Sequence, residues 1–270
     1  MVEIVDVFIY PEPRCAAIDF DRLAVFVRSG LPHVRVHLRG PLLESALDAR
    51  CGRRDWQTLA EAFARAKVRD LNAAADPGWR PLPGEVSYEL ARLKNRASSV
   101  FGLLYDAGLI LEIYRQLLPA AESGLDSVNI IFTNQLIGSL DEADKRYHTR
   151  SVILGAPAVV STSGVVEAPA RPAGYYIARS TAQVIGLSEI GNPELARSFT
   201  GDFLLEDDPR LTEVAAGLTL QALAYRMTGE PFCGSPECRL FNAHRQEELI
   251  RAQTGEAQFC RKHAELFAGC

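Results

Sequence analysis

Residues 232–266 read FCGSPECRLFNAHRQEELIRAQTGEAQFCRKHAEL, and the fold is best approached from this stretch. Cys233 and Cys238 form a C-x4-C pair whose Gly234, Ser235 and Pro236 supply a turn able to bring both sulfurs to one side. After 21 further residues, Cys260 and His263 form C-x2-H. Two thiolates joined to a thiolate and an imidazole by a medium loop suit tetrahedral zinc. Four protein ligands leave no open position for substrate, so the expected zinc is structural, a clip that adds folding free energy. Three core thiols beside a surface histidine would give the same composition. The ligand-like spacing and the polar, turn-forming surroundings favour the metal.

Composition narrows the rest. The chain has 270 residues, with Lys+Arg 29 against Asp+Glu 34, enough for one large or two small domains and with no basic footprint for nucleic acid or an anionic membrane. Cys15 and Cys51 lie far from Cys270 and the tail, unlike a disulfide framework. The opening MVEIVDVFIYPEPR lacks the features of a signal peptide, and no apolar run approaches about 20 residues. The expectation is a soluble, cytoplasmic protein with reduced thiols.

Upstream, Glu3 to Tyr10 predicts a strand, Asp19 or Asp21 caps a helix ended by Gly30, and His33 to Leu38 predicts a second strand, a β-α-β opening that favours an α/β fold. From Leu43 to Leu118 the strand signal disappears, and an apolar stripe from Val86 to Leu118 predicts a long helix that Gly102 and Gly108 bend or break. Strands resume at Ser127 to Thr133, Ser151 to Gly155, Ala158 to Ser161 and Gly174 to Ala178, with antiparallel or edge pairing among the later ones. Asn192-Pro193-Glu194 starts a short helix, and Arg210 to Thr228 forms a long one closed by Gly229.

Taken together, the tail resembles that of the archaemetzincins, a branch of the metzincin zinc peptidases, in which HExxHxxGxxH runs into C-x4-C-x-M and ends in CxxC. Here the final pair is Cys260-Arg-Lys-His263, and Asn242-Ala-His-Arg-Gln-Glu-Glu248 is similar to the intervening stretch. The likeness is close over the last fifty or so residues and weaker over Ser127 to Ser161. It implies an α/β fold with a zincin-like mixed sheet, a long former active-site helix, a helical insertion at about 43–118, and a zinc-clipped segment at 229–270, all in one domain over 1–270.

The first cysteine fixes the register of the missing motif. The three histidine positions fall on Ala222, Arg226 and Phe232, the general-base position on Leu223, and the Met-turn position on Leu240; only Gly229 is kept. Alanine, leucine and phenylalanine can neither ligate zinc nor take a proton from its water, and an arginine repels the ion. Leu211, Val214, Ala215, Leu218, Ala222 and Tyr225 keep helical spacing, so the helix reads as an amphipathic core helix. The expectation is a non-catalytic metzincin-like protein with a structural zinc and a cleft for a peptide or protein ligand. The alternative is an active zinc metallopeptidase whose metal is assembled from other residues such as His244 and Glu247, one helical turn apart with Glu248 beside them. His33 and His37 would stand about 13 Å apart on one strand face, too far to share a metal. The Asp144 to Arg150 run (DKRYHTR) reads as a charged surface loop.

Overall fold

The computed structural model describes residues 3–47, 55–95, 103–184, 195, 198–199, 203–254 and 258–268. Strand β1 (Asp6–Tyr10), helix α1 (Phe20–Gly30) and strand β2 (Arg35–Leu38) form the expected opening, with Asp19 accepting from the Arg22 N–H as the helix cap. The two strands pair in parallel, joined by a crossover through α1. His37 bonds to Asp6 at 2.7 Å across this pair, with the Arg35 guanidinium on the same carboxylate.

Helices α2 (Leu42–Leu47), α3 (Trp56–Ala66) and α4 (Pro83–Lys94) follow, then β3 (Leu104–Asp106) and α5 (Ala107–Leu117). The single stripe expected up to Leu118 is therefore two helices with a three-residue strand between them. Asp106 ends that strand and caps α5 by accepting from the Leu109 N–H, a turn that overrides the apolar periodicity. Strands β4 (Ser127–Thr133), β5 (Leu136–Asp141), β6 (Arg146–Arg150), β7 (Val152–Ile153) and β8 (Ala158–Ser161) come next. Most of the presumed charged loop is thus strand β6, paired antiparallel with β5. The strand expected from Ser151 narrows to β7, and the one expected at Gly174 is helical: α6 (Thr162–Glu167) precedes α7 (Ala173–Val184). There Tyr175 is buried against Phe199 and Phe203, so the Tyr-Tyr-Ile run serves an aromatic cluster rather than a sheet. The helix expected at Asn192, together with Cys51 and Cys270, lies outside the described residues.

Five strands form a mixed sheet in the order β2-β1-β4-β8-β7, parallel except for β7. Period-two alternation divides its side chains between two cores. Val7, Ile9, Ile130, Phe132 and Val160 meet α1 and the long helix α8 (Leu211–Thr228), while Phe8, Tyr10, Ile131 and Val159 meet α3 and α5. The segment from α2 to α5 thus supplies the layer on the second face. The tail helices are α9 (Gln246–Gln253) and α10 (Arg261–Ala268). Among the described residues, no helix is long and apolar enough to cross a membrane.

Helix α8 differs from the amphipathic expectation. Leu211, Val214, Leu218, Leu220, Leu223 and Met227 are all buried, so apolar side chains point in every direction from its axis. The sheet takes one side; the tail, through Cys238, Leu240, Leu249 and Phe267 of the same core, takes much of the other. A helix covered in this way has no solvent face to keep polar.

Candidate metal centre and cleft

The tail is shaped by its backbone before any metal is considered. Gly229, at φ 80°, ends α8 in the left-handed conformation that glycine adopts without strain. The chain then doubles back: Cys233 N–H donates to the Leu240 carbonyl at 2.8 Å, and Phe241 N–H to the Cys238 carbonyl at 2.8 Å. A second crossing, Arg239 N–H to the Gln258 carbonyl at 3.0 Å, brings the distant C-x2-H pair alongside. Cys260 caps the start of α10, where its carbonyl accepts from His263 and Ala264.

The result gathers Cys233, Cys238, Cys260 and His263 so that one ligand atom from each lies within 4.8 Å of all the others. Tetrahedral zinc, with sulfur at about 2.3 Å and nitrogen at about 2.0 to 2.1 Å, requires ligand edges of about 3.8 Å between sulfurs and about 3.5 Å between sulfur and nitrogen. Cys233 and Cys260 Sγ are 3.8 Å apart, and Cys238 Sγ is 3.5 Å from His263 Nδ1. The Cys260 to His263 edge is shorter, at 3.1 Å. This donor set fits a tetrahedral, thiophilic metal and could hold one, with Nδ1 as the imidazole ligand.

Local electrostatics differ among Cys238, Cys260 and His263. Burial pushes the Cys238 thiol up to about 11, so metal binding there must displace a proton. Burial also pulls Cys260 upward, but the His263 backbone N–H and hydrogen bonds with Cys233 and Cys238 outweigh it and hold the thiol below its ordinary value. Burial lowers His263, with Lys262 adding to the effect, and so favours the neutral imidazole that a metal needs.

The positions where a zincin would carry its catalytic groups look different. Ala222 and Leu223 are 2% and 0% exposed inside the core shared by α1, α8 and the sheet. Arg226 turns away and donates to the Leu125 carbonyl, ahead of β4. Leu240 is fully buried, whereas Phe232 is exposed.

Phe232 lines a cleft of about 330 Å³ between the β6–β7 segment, α8 and the tail. Thr149 to Leu154 form one wall, Leu218 and Gln221 of α8 the floor, and Phe241 to His244 the opposite wall. Gln221 is tied to that wall, donating to the Phe241 carbonyl at 3.2 Å. Strand β7 pairs only with β8 among the described residues, leaving its outer edge along the cleft. The antiparallel or edge pairing expected among the later strands is found in β7, but sequence reasoning missed Gln221, which lies one residue before the position the motif register singles out.

His244 lines the cleft, but Glu247 is 3.8 Å from Arg245 and exposed, and Glu248 is committed to the N–H groups of His244 and Arg245, where it caps α9. Among the described residues, the groups of three or more clustered metal-type ligands are the tail tetrad and Asp141, Asp144 and His148; neither includes His244 or Glu247. The second group occupies the β5–β6 turn, with His148 bonded to Asp144 at 2.7 Å.

A family model described as a probable metallopeptidase family (DUF6775) matches residues 3–269 of the chain. Among solved structures, the crystal structure of archaemetzincin from Methanopyrus kandleri aligns with 14% identity over 99% of this chain and 94% of that one, at a TM-score of 0.42. No curated protein sequence matches.

Proposed function

The chain belongs to the probable metallopeptidase family DUF6775, and from that premise we propose that it is a non-catalytic member, a cytoplasmic zinc protein that holds an extended peptide or protein segment in the cleft beside β7. The carrying observation is the floor of that cleft. It is made by Leu218 and Gln221, while the positions of the expected histidines and general base are Ala222 and Leu223 in the core, Arg226 directed at Leu125, and Phe232. Leucine, glutamine and phenylalanine can shape and hydrogen-bond a ligand but cannot assemble a zinc-bound hydroxide with its base.

The zinc of this reading belongs to the tail. Cys233, Cys238, Cys260 and His263 form a closed shell whose role is to fasten the tail onto α8. Support comes from the burial of Cys238 and His263 and from the core that Cys238 shares with Leu240, Leu249 and Phe267. The competing reading, an active metallopeptidase using His244 and Glu247, draws on the presence of His244 in the cleft.

Metal analysis with a peptidase assay separates the two. The non-catalytic reading expects a single tightly held zinc per chain and no cleavage of unstructured peptides. A second, easily chelated metal whose removal abolishes cleavage would overturn it. Cys238→Ser and Cys260→Ser should each lower zinc content and melting temperature together, at about 2 to 4 °C per kcal/mol lost. Full retention of both would refute the structural clip.

A further inference from the structure

We propose that the cleft beside β7 recognises the C-terminal carboxylate of its peptide, with Arg150 as the anchor. This inference rests on the reading of the cleft as a peptide site.

The first observation is the charge of the lining. The chain carries a net −5, yet the residues that line the cleft include no Asp or Glu; the basic groups there are Arg150 and His244. The second is the state of Arg150. Its Nε donates to Ser139 Oγ at 2.8 Å, which orients the guanidinium, and among the described residues no carboxylate pairs with it. Nearby arginines are spent differently: Arg171 pairs with Glu167 at 2.9 Å and Arg210 with Asp208 at 2.7 Å. A half-buried arginine that lines a cleft free of acid and is held by one hydroxyl suits a planar anion.

The third observation is direction. Arg150 is the last residue of β6 and stands just before β7, at the N-terminal end of the free edge. A peptide that adds to a sheet edge does so most often antiparallel. Antiparallel addition to β7 brings the C-terminal end of the peptide to Arg150. The exposed Asn242 and His244 of the opposite wall then face its side chains and main chain. Strand β7 has two residues, Val152 and Ile153, and a bend at Ser151 separates it from Arg150, so the pairing takes up only the last few residues of a chain.

The test uses the zinc-loaded full chain and N-terminally fluorescein-labelled octapeptide pools of uncharged residues, read by anisotropy. One pool ends in a free carboxylate, a second is amidated, and a third is amidated with one internal Glu. The free-acid pool should bind at least about ten-fold more tightly than either amidated pool, the discrimination one charge-assisted hydrogen bond supports. Arg150→Gln should erase that preference and Arg150→Lys should restore part of it. The wild-type comparison alone decides if either variant fails to fold. Equal binding of acid and neutral amide overturns the anchor and leaves the peptide cleft standing. Equal binding of the Glu-containing amide and the free acid assigns the carboxylate to a side chain and also overturns it. Failure of all three pools to bind removes the cleft reading itself, and this inference with it.

Discussion

Replacing Gly217 with alanine sets helix propensity against packing, and the two predict opposite signs. Gly217 lies within α8, where propensity alone makes alanine more stable by about 1 kcal/mol. A Cβ there, however, would stand 1.4 Å from Gln253 Oε1 and 2.3 Å from its Cδ. Gln253 is fully buried, and its Nε2 donates to the Arg239 carbonyl at 2.6 Å. The side chain must leave, which forfeits that buried hydrogen bond at about 1 to 3 kcal/mol and forces repacking at about 1 to 3 kcal/mol more. Net of propensity, Gly217→Ala should destabilise by about 1 to 5 kcal/mol. That is a fall in melting temperature of at least about 2 °C in a chain of this size.

The assay is denaturant unfolding of the zinc-loaded protein, with a second substitution to locate the cause. Gln253→Ala removes the obstructing amide, so the cost of Gly217→Ala should shrink in that background and the two changes should couple. A Gly217→Ala protein as stable as the parent, or more stable, would mean that α9 does not approach α8 closely. The tail would then not be seated on the helix as described. Additive effects in the double variant would refute the contact even if the single variant is weak.

Two further outcomes follow from burial and charge. Leu223→Glu places a carboxylate in a fully buried apolar position, so it should cost several kcal/mol, lower the melting temperature by about 10 °C or more and confer no peptidase activity; an unchanged melting temperature would place that position at the cleft surface. At Asp208, burial pulls the carboxyl upward, but hydrogen bonds from the Arg210 side chain and backbone outweigh it and hold it below its ordinary 3.8. A depressed folded-state value stabilises above 3.8 and loses that contribution as pH falls through the folded value, so the deficit of Asp208→Asn should be full at neutral pH and narrow below 3.8. Unfolding titrations at the two extremes check it, and a deficit independent of pH would show that the Asp208 charge does no work.

What could be read from sequence was local chemistry. Asp19, Gly229 and the clustering of Cys233, Cys238, Cys260 and His263 announce themselves because a cap, a left-handed turn and a ligand-like spacing each depend on a few adjacent residues. The readings that failed depended on distant partners. Strand β3 exists because Leu104 to Asp106 meets Leu136 to Gly138, and α7 is helical with Tyr175 against aromatics some 25 residues on. Reading α8 as amphipathic counts only Leu211, Val214, Ala215, Leu218, Ala222 and Tyr225; Leu220, Leu223 and Met227 already put apolar side chains on its other faces, and what the pattern does not name is the tail that covers them. The cleft was illegible for the same reason: its walls come from β7 and from Phe241 to His244, some 90 residues apart, and meet only after the sheet and tail have both formed.

That arrangement joins the clip to the cleft although no proposed ligand of the metal lines it. The cleft wall from Phe241 to His244 follows the Cys233 to Leu240 turn at one end and is bonded to Ala170 at the other, and the floor residue Gln221 is bonded to the carbonyl of Phe241. On the structural-zinc reading, metal in the tail fixes a wall of the cleft at one remove. On the same reading, α8, with Ala222, Leu223 and Arg226 at the motif positions, offers no metal of its own to orient the segment beyond Gly229. The burden falls on burial against Leu218 and Leu249 and on the tetrad. On that reading, selection on ligand binding would preserve the tail cysteines whatever occupies the motif positions, which here are Ala222, Leu223, Arg226 and Phe232.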